Sequence, residues 1–401
     1  MTTSRGSAVP GSPSGSALHP APDLAAGSPS LSVLDLTRGA ARLTADIVDI
    51  ASVSGDEKAL ADAIEHALRP YAHLEVVRDG DSVLARTNLG RSERVILAGH
   101  LDTVSIAIDG NGRRNVPSLL EGDWETGTLH GCGSSDMKSG VAVQLVLAAT
   151  VTEPNRDVTY MFYECEEVEA ERNSLRRLVQ TRPDWFQADF AVLLEPSLGI
   201  VEGGCQGTMR ARISLSGERA HSARSWLGDN AIHRAASVLA ALAAYEPRRV
   251  EVEGLEYREG LNAVGIEGGV AGNVIPDTCA VLVNFRFAPD RTETEAEVHL
   301  REVFAGLDAA IEIVDSAPAA RPGLHLPPAA AFVESVMGGD GTQPLAKFGW
   351  TDVARFAALG VPGVNYGPGT SGLAHKPDES VELGQVVRCE GRMRSWLTDA
   401  S

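Results

Sequence analysis

Three apolar runs, Val95–Ala98, Val158–Tyr163 and Phe190–Leu194, contain no charged residue and are four to six residues long. Runs of that length without polar alternation predict strands buried on both faces, as in a mostly parallel sheet. Around them the period becomes helical. Leu43, Ile47 and Ile50 share one face, as do Leu60, Ile64 and Leu68, and later Val141, Leu145 and Ala148. Such helices cover a sheet. Gly133 and Gly140 suit a tight turn into the third helix, and Gly360 reads as a helix stop after 352–359. The fold class is α/β, a mostly parallel sheet flanked by helices.

Between 206 and 316 the pattern changes. Met209, Ala211, Ile213 and Leu215 alternate with Arg210, Arg212 and Ser214, which predicts a half-buried strand. A helix near 229–245, strands near 262–267 and 279–287, a helix carrying Leu300, Val303, Phe304 and Leu307, and a strand at 311–314 follow. The order β-α-β-β-α-β is that of a split βαβ sandwich. A chain of 401 residues exceeds what one core usually holds. The expected organisation is a catalytic domain made of 31–205 and 317–401, with a lid inserted at 206–316. Residues 1–30 hold 21 Ser, Pro, Gly or Ala and are expected to form a disordered extension.

Composition narrows the partners. The 54 acidic and 35 basic residues give a formal net charge of −19, which disfavours nucleic acid and anionic membranes. No apolar segment follows a basic start, and no run of about 18 apolar residues occurs, so a cytoplasmic protein is expected. The five cysteines are odd in number and form no C-x-x-C pair, which predicts reduced thiols.

Candidate chemistry gathers at the ends of the apolar runs: His100 and Asp102 in VILAGHLDTV, Glu166 and Glu167 in VTYMFYECEEVEA, and Glu195 in FAVLLEP. Asp136 in GCGSSDMKSG and His375 in GTSGLAHKPDE complete the set. In open α/β sheets the ligand crevice lies beyond the carboxyl ends of the strands, so these positions can converge. Taken singly, each has an ordinary reading: a hydrogen-bonded strand-end His100, a solvated helix start at Glu166 and Glu167, a helix cap at Asp136, a turn at Glu195, a surface His375. Taken together, two imidazoles and three carboxylates suit divalent ions of zinc type, and one carboxylate can bridge a pair. Cys165 is a poor nucleophile, because Glu164 and Glu166 beside it raise a thiol's pKa. Arg286, Arg355 and Asn273 offer contacts for a substrate with several carboxylates, since guanidinium binds carboxylate bidentately. His221, just beyond the first lid strand, can point at the cleft.

The succession H-x-D, G-x-G-x-x-D-M-K, E-E, E-P-S and a late His resembles the M20 family of co-catalytic zinc amidohydrolases, over nearly everything after residue 31. The resemblance implies a zinc exopeptidase-like catalytic domain and a ferredoxin-like lid that pairs two subunits. It implies that His100 and Glu195 bind one zinc, that Glu167 and His375 bind the other, and that Asp136 bridges them, with cobalt able to substitute. Glu166 would be the general base. Asp102 would orient His100, a role expected independently because a metal-bound His usually donates its second ring N–H to a carboxylate. The peptide after Asp136 would be cis. His221 would reach across the dimer to a developing oxyanion. Asn273, Arg286, Thr351 and Arg355 would hold the carboxylates of a small N-acyl amino acid. Where many members read G-G-T-S-D-G-R, this chain has Gly349-Trp350-Thr351-Asp352-Val353-Ala354-Arg355, and Trp350 is expected to reshape the pocket. A deacetylase, a dipeptidase and a carboxypeptidase are alternatives within the family. A non-catalytic protein that binds amino acids or metal is the alternative of another class, and Glu166 beside Glu167 speaks against it, since pure ligation needs no unliganded base.

Overall fold

A computed structural model describes residues 33–108, 110, 112–339 and 341–399, and the extension expected at 1–30 lies outside them. The three apolar runs become the strands Arg94–His100, Asp157–Tyr163 and Phe190–Leu193, with nearly every side chain buried. Together with Gly363–Asn365 they form the parallel centre of an eight-stranded sheet. Antiparallel pairings flank that centre, Ser82–Arg86 and Glu75–Asp79 on one side and Glu202–Gly203 on the other, and Leu345–Ala346 then pairs in parallel with Glu202–Gly203.

Helices cover both faces, which is why the central strands lack alternation. Ala40–Val48, Lys58–Leu68, Lys138–Thr150, Pro327–Met337 and Leu383–Thr398 pack one face. Ser174–Thr181 and Val353–Ala358 pack the other. Lys138–Thr150 departs from the one-sided pattern, because residues 138–149 are buried all round. It lies against the sheet with Ala40–Val48 and Leu383–Thr398 over it, and a helix enclosed in this way is mostly apolar all round, with Lys138, Ser139 and Gln144 its buried polar exceptions. Gly140 also serves differently from expectation. A Cβ there would stand 2.1 Å from the Leu194 carbonyl oxygen, so this glycine lets the helix approach the strand end. The turn itself uses Gly133, whose φ is 78°.

The segment at 207–317 builds its own antiparallel sheet, in the order Gly260–Gly268, Thr278–Phe287, Gly207–Ser216, Ala310–Ala317. The helices Ala231–Ala243 and Glu293–Val303 cover one face and share a separate apolar core with it. Alternation along Gly207–Ser216 is complete: Met209, Ala211, Ile213 and Leu215 point to that core, and Thr208, Arg210, Arg212 and Ser214 to the open face. The second helix starts on a Thr292–Glu295 capping box and ends before Phe304 and Leu307, which pack beside it without being helical. The register of Ala310–Ala317 against Gly207–Ser216 shifts between Ile313 and Asp315, so Val314 bulges. The hairpin Arg249–Val252 and Leu255–Arg258 was not foreseen, since its short charged strands carry little apolar signal. Among the described residues all five cysteines are buried and unpaired, and no helix is long and apolar enough to cross a membrane.

Candidate metal and active site

In register, His100 stands opposite Tyr163 and Ala98 opposite Leu193, so the residues after the three parallel strands emerge side by side. His100 Nε2 lies 3.2 Å from Asp136 Oδ1. His375 Nε2 lies 2.8 Å from Glu167 Oε1 and 3.7 Å from Asp136 Oδ2. The ligand atoms of His100, Asp136 and Glu195 fall within 4.8 Å of one another, and so do those of Asp136, Glu167 and His375. Asp136 belongs to both groups and turns one oxygen toward each histidine. A third group of the same compactness joins His100 to Glu166 and Glu167. The Asp136–Met137 peptide is cis.

Main-chain amides from distant loops hold these side chains. The Asp102 carboxylate accepts the N–H groups of Glu166 and Glu167 at 2.9 Å each and the Ser54 hydroxyl at 2.7 Å. His100 Nδ1 is 3.0 Å from the main-chain oxygen of Asp102 and 3.5 Å from its carboxylate. Asp102 therefore meets His100 and also fixes the backbone of the Glu166–Glu167 pair. Two residues that sequence reasoning passed over do similar work. Glu57 accepts the Cys165 N–H at 3.1 Å. Glu379 accepts the N–H groups of Gly133 and Ser135 at 2.9 Å and of Asp136 at 3.0 Å, tying the Asp136 loop to the His375 loop. The available signal for Glu379 was its place four residues after His375 in AHKPDE. Cys165 and His375 adopt left-handed φ values of 59° and 63°, uncommon outside glycine and typical of functional sites.

The family model for peptidase family M20/M25/M40 matches residues 96–398. The chain belongs to that family. It is 45% identical over 377 residues to succinyl-diaminopimelate desuccinylase of Corynebacterium glutamicum, covering 91% of this chain and 98% of the relative. A Mycobacterium tuberculosis protein that carries the same name provisionally is 52% identical over 366 residues, covering 91% and 99%. Among solved structures, a Staphylococcus aureus tripeptidase superposes with a TM-score of 0.72 at 17% identity, covering 91% and 98% of the two chains. A Bacillus subtilis protein described as a dinuclear metal-binding M20 peptidase gives 0.62 at 16% identity, covering 89% and 96%. At these identities the two structures speak for the fold.

The electrostatics of this M20 chain fit divalent cations. Burial, and then Asp136 nearby, push the Glu195 carboxyl up to about 7. Burial raises Glu166 well above the carboxylate range, and His100 offsets only part of that. His375 rises to about 9 through its hydrogen bond to Glu167. A buried group of mutually repelling carboxylates with two imidazoles and no thiolate is the donor chemistry that such ions match, and an ion's charge would reverse these shifts. Cys165 is pushed up to about 12 by burial and by Glu57, which disfavours its thiolate.

A cavity of about 500 Å³ opens from the cluster to the sheet of the 207–317 segment and is lined by Glu166, Glu167, His375, Trp350, Arg210 and Arg286 among others. Trp350 is thus on the pocket wall. Arg286 donates its Nε to Asn284 Oδ1 at 3.0 Å and has no carboxylate within ion-pair distance among the described residues. The other expected substrate contacts stand elsewhere. Thr351 is buried and donates to Asn365 Oδ1 at 2.9 Å. Arg355 donates to Asp352 Oδ1 at 2.5 Å and to the Ala170 carbonyl at 3.3 Å, with its guanidinium 5.3 Å from the Trp350 ring centre. Asn273 and His221 sit together in the 207–317 segment, where the Ser222 N–H donates to the Asn273 carbonyl at 2.9 Å and the Ala223 N–H to His221 Nδ1 at 3.0 Å. Neither lines the cavity.

Proposed function

We propose that this chain hydrolyses N-succinyl-LL-2,6-diaminopimelate to succinate and LL-2,6-diaminopimelate, in the cytoplasm, as a step of diaminopimelate and lysine synthesis. One observation carries the reading: Glu167 and His375, whose ligand group shares Asp136 with a second one, line one cavity with the guanidinium of Arg286, which has no carboxylate within ion-pair distance among the described residues. That pairing suits an amide whose substrate bears several carboxylates, and the two bacterial relatives support the succinyl group.

His100 and Glu195 would hold one zinc, Glu167 and His375 the other, and Asp136 one oxygen to each, with cobalt a workable substitute. Such ions polarise a carbonyl and lower the pKa of water to about 7. Glu166, its backbone fixed on Asp102, takes the proton of the attacking water and passes it to the leaving amine as the C–N bond breaks. Asp102 keeps His100 oriented. Arg286 binds a substrate carboxylate bidentately.

We also infer a homodimer through the lid. The outer strand Gly260–Gly268 has an unpaired edge, and Ile266 and the nearby Val270 are 55% and 57% exposed. His221 and Asn273 lie outside their own cleft, so the partner subunit's His221 would meet the developing oxyanion and the partner subunit's Asn273 a substrate carboxylate. Ile266→Lys should then give monomers with intact metal content and sharply reduced turnover, read by sedimentation and assay. A monomer with full turnover would refute the exchange.

The activity is tested by succinate release from N-succinyl-LL-2,6-diaminopimelate with metal-loaded and chelator-stripped protein, N-acetylornithine in parallel. Succinate release that stops on chelation, without deacetylation, is expected. Deacetylation instead, or release indifferent to chelator, overturns the reading.

A further inference from the structure

The open face of the lid sheet presents two guanidinium groups to the cavity, and their neighbours differ. Arg286 has only the neutral Asn284 side chain. Arg210 has Asp315, whose Oδ2 accepts from Arg210 Nε at 3.0 Å and Nη2 at 2.7 Å. Both contacts use one carboxylate oxygen, so Asp315 Oδ1 and Arg210 Nη1 are left without a protein partner among the described residues. Both residues line the same cavity as Glu166, Glu167 and His375.

The carboxylate is there because of a register shift. In Ala310–Ala317, Ile311 and Ile313 stand opposite Ile213 and Ala211 on the core side, and regular pairing would set Val314 opposite Arg210. The bulge leaves Val314 46% exposed and brings Asp315 opposite Arg210 instead. Bulges beside sites commonly re-aim one side chain in this way.

An isolated carboxylate approaching Arg210 meets the Asp315 anion as well. A group carrying ammonium and carboxylate on one carbon meets a partner for each charge. We propose that Arg210 and Asp315 together recognise the distal amino-acid end of the substrate, Arg210 taking its carboxylate and Asp315 its ammonium, while Arg286 takes a bare carboxylate. This specificity device rests on the desuccinylase reading and deepens it: the enzyme selects an N-acylated diamino diacid through its far end.

Three substrates separate the possibilities when offered to the metal-loaded full chain: N-succinyl-LL-2,6-diaminopimelate, Nα-succinyl-L-lysine, which lacks the distal carboxylate, and N-succinyl-L-2-aminopimelate, which lacks the distal ammonium. The wild type should lose roughly 10–100-fold in kcat/KM on each analogue, as sites lose when a charged hydrogen-bond partner is withdrawn. Arg210→Met should fall by a similar factor on the full substrate while leaving succinyl-lysine nearly unchanged. Asp315→Asn should do the same with succinyl-aminopimelate as the indifferent substrate. Melting temperature and metal content should stay at wild-type values, since neither residue belongs to a core or to the ligand cluster. Equal losses on all three substrates, or a wild type indifferent to the distal groups, overturn this proposal and leave the desuccinylase reading standing. A wild type that releases succinate from none of the three overturns both.

Discussion

The floor of the cleft and its roof are built by opposite means. On the floor, the candidate site residues leave the ends of buried strands or tight loops, and carboxylates from elsewhere accept the amides of three such segments: Asp102 those of Glu166 and Glu167, Glu57 that of Cys165, Glu379 that of Asp136. On the roof, Arg210 and Arg286 stand on the open face of a sheet, positioned by strand alternation and one bulge, with half their surroundings left to solvent or substrate. The difference follows from what each surface must do. On the proposed reading, ion coordination and proton transfer would tolerate errors of only tenths of an ångström, which an over-determined floor serves. Recognition of a substrate would need charged groups with donors or acceptors to spare, as Arg286 and the Arg210–Asp315 pair have.

The largest effect should come from the floor. Glu166→Gln keeps size and keeps the N–H that Asp102 holds, and removes only the base, so turnover should fall by about 10²–10⁴-fold. Bound metal and melting temperature should remain at wild-type values. Turnover near normal in that variant would remove Glu166 from the mechanism.

Next is the support beneath Asp136. Glu379→Ala withdraws the acceptor of three amides at once, and each amide left buried without a partner costs about 1–3 kcal/mol, not additively. A loss of stability on the order of 3 kcal/mol is expected. Ion affinity should drop by roughly 10–100-fold, as it does when outer-shell partners are removed. Glu379→Gln retains an acceptor oxygen and should recover part of both. Metal titration and urea denaturation read the two quantities separately. An alanine variant that binds metal like the wild type would show that Asp136 needs no such tie.

The same contrast explains what the sequence disclosed. Strand ends on the floor announce themselves, because titratable residues gathered at the ends of several uninterrupted apolar runs can converge, and His100, Glu166, Glu167 and Glu195 all stand there. The order of lid elements was legible for a related reason, its alternation along 209–215 being unmistakable. Glu57 was not legible and Glu379 only through its place near His375, since an acid that meets the amides of a loop 108 or 243–246 residues away otherwise looks like any other acid. Nor was the bulge at Val314, which depends on pairing with another strand. Arg355 shows the converse: its charge matched the expected substrate, and nothing in the sequence signalled that the buried Asp352 three residues earlier engages it.

Two arginines given one role from sequence therefore become a direct comparison. Arg286 lies in the cavity with only Asn284 as its partner, so Arg286→Met should raise KM by roughly 10–100-fold with a smaller change in kcat and little change in melting, the signature of lost binding. Arg355→Met should do the reverse. Asp352 is fully buried and would retain only the Tyr163 hydroxyl and the Asn173 amide, so an uncompensated charge is left inside the protein. The expected cost is about 3 kcal/mol in stability, with KM within about threefold of wild type for a residue outside the contact surface. Steady-state kinetics and thermal melts on both variants decide the matter. If Arg355→Met raises KM as much as Arg286→Met while melting normally, then Arg355 leaves Asp352 when substrate binds, and the roof and floor close around the substrate more completely than this structure does.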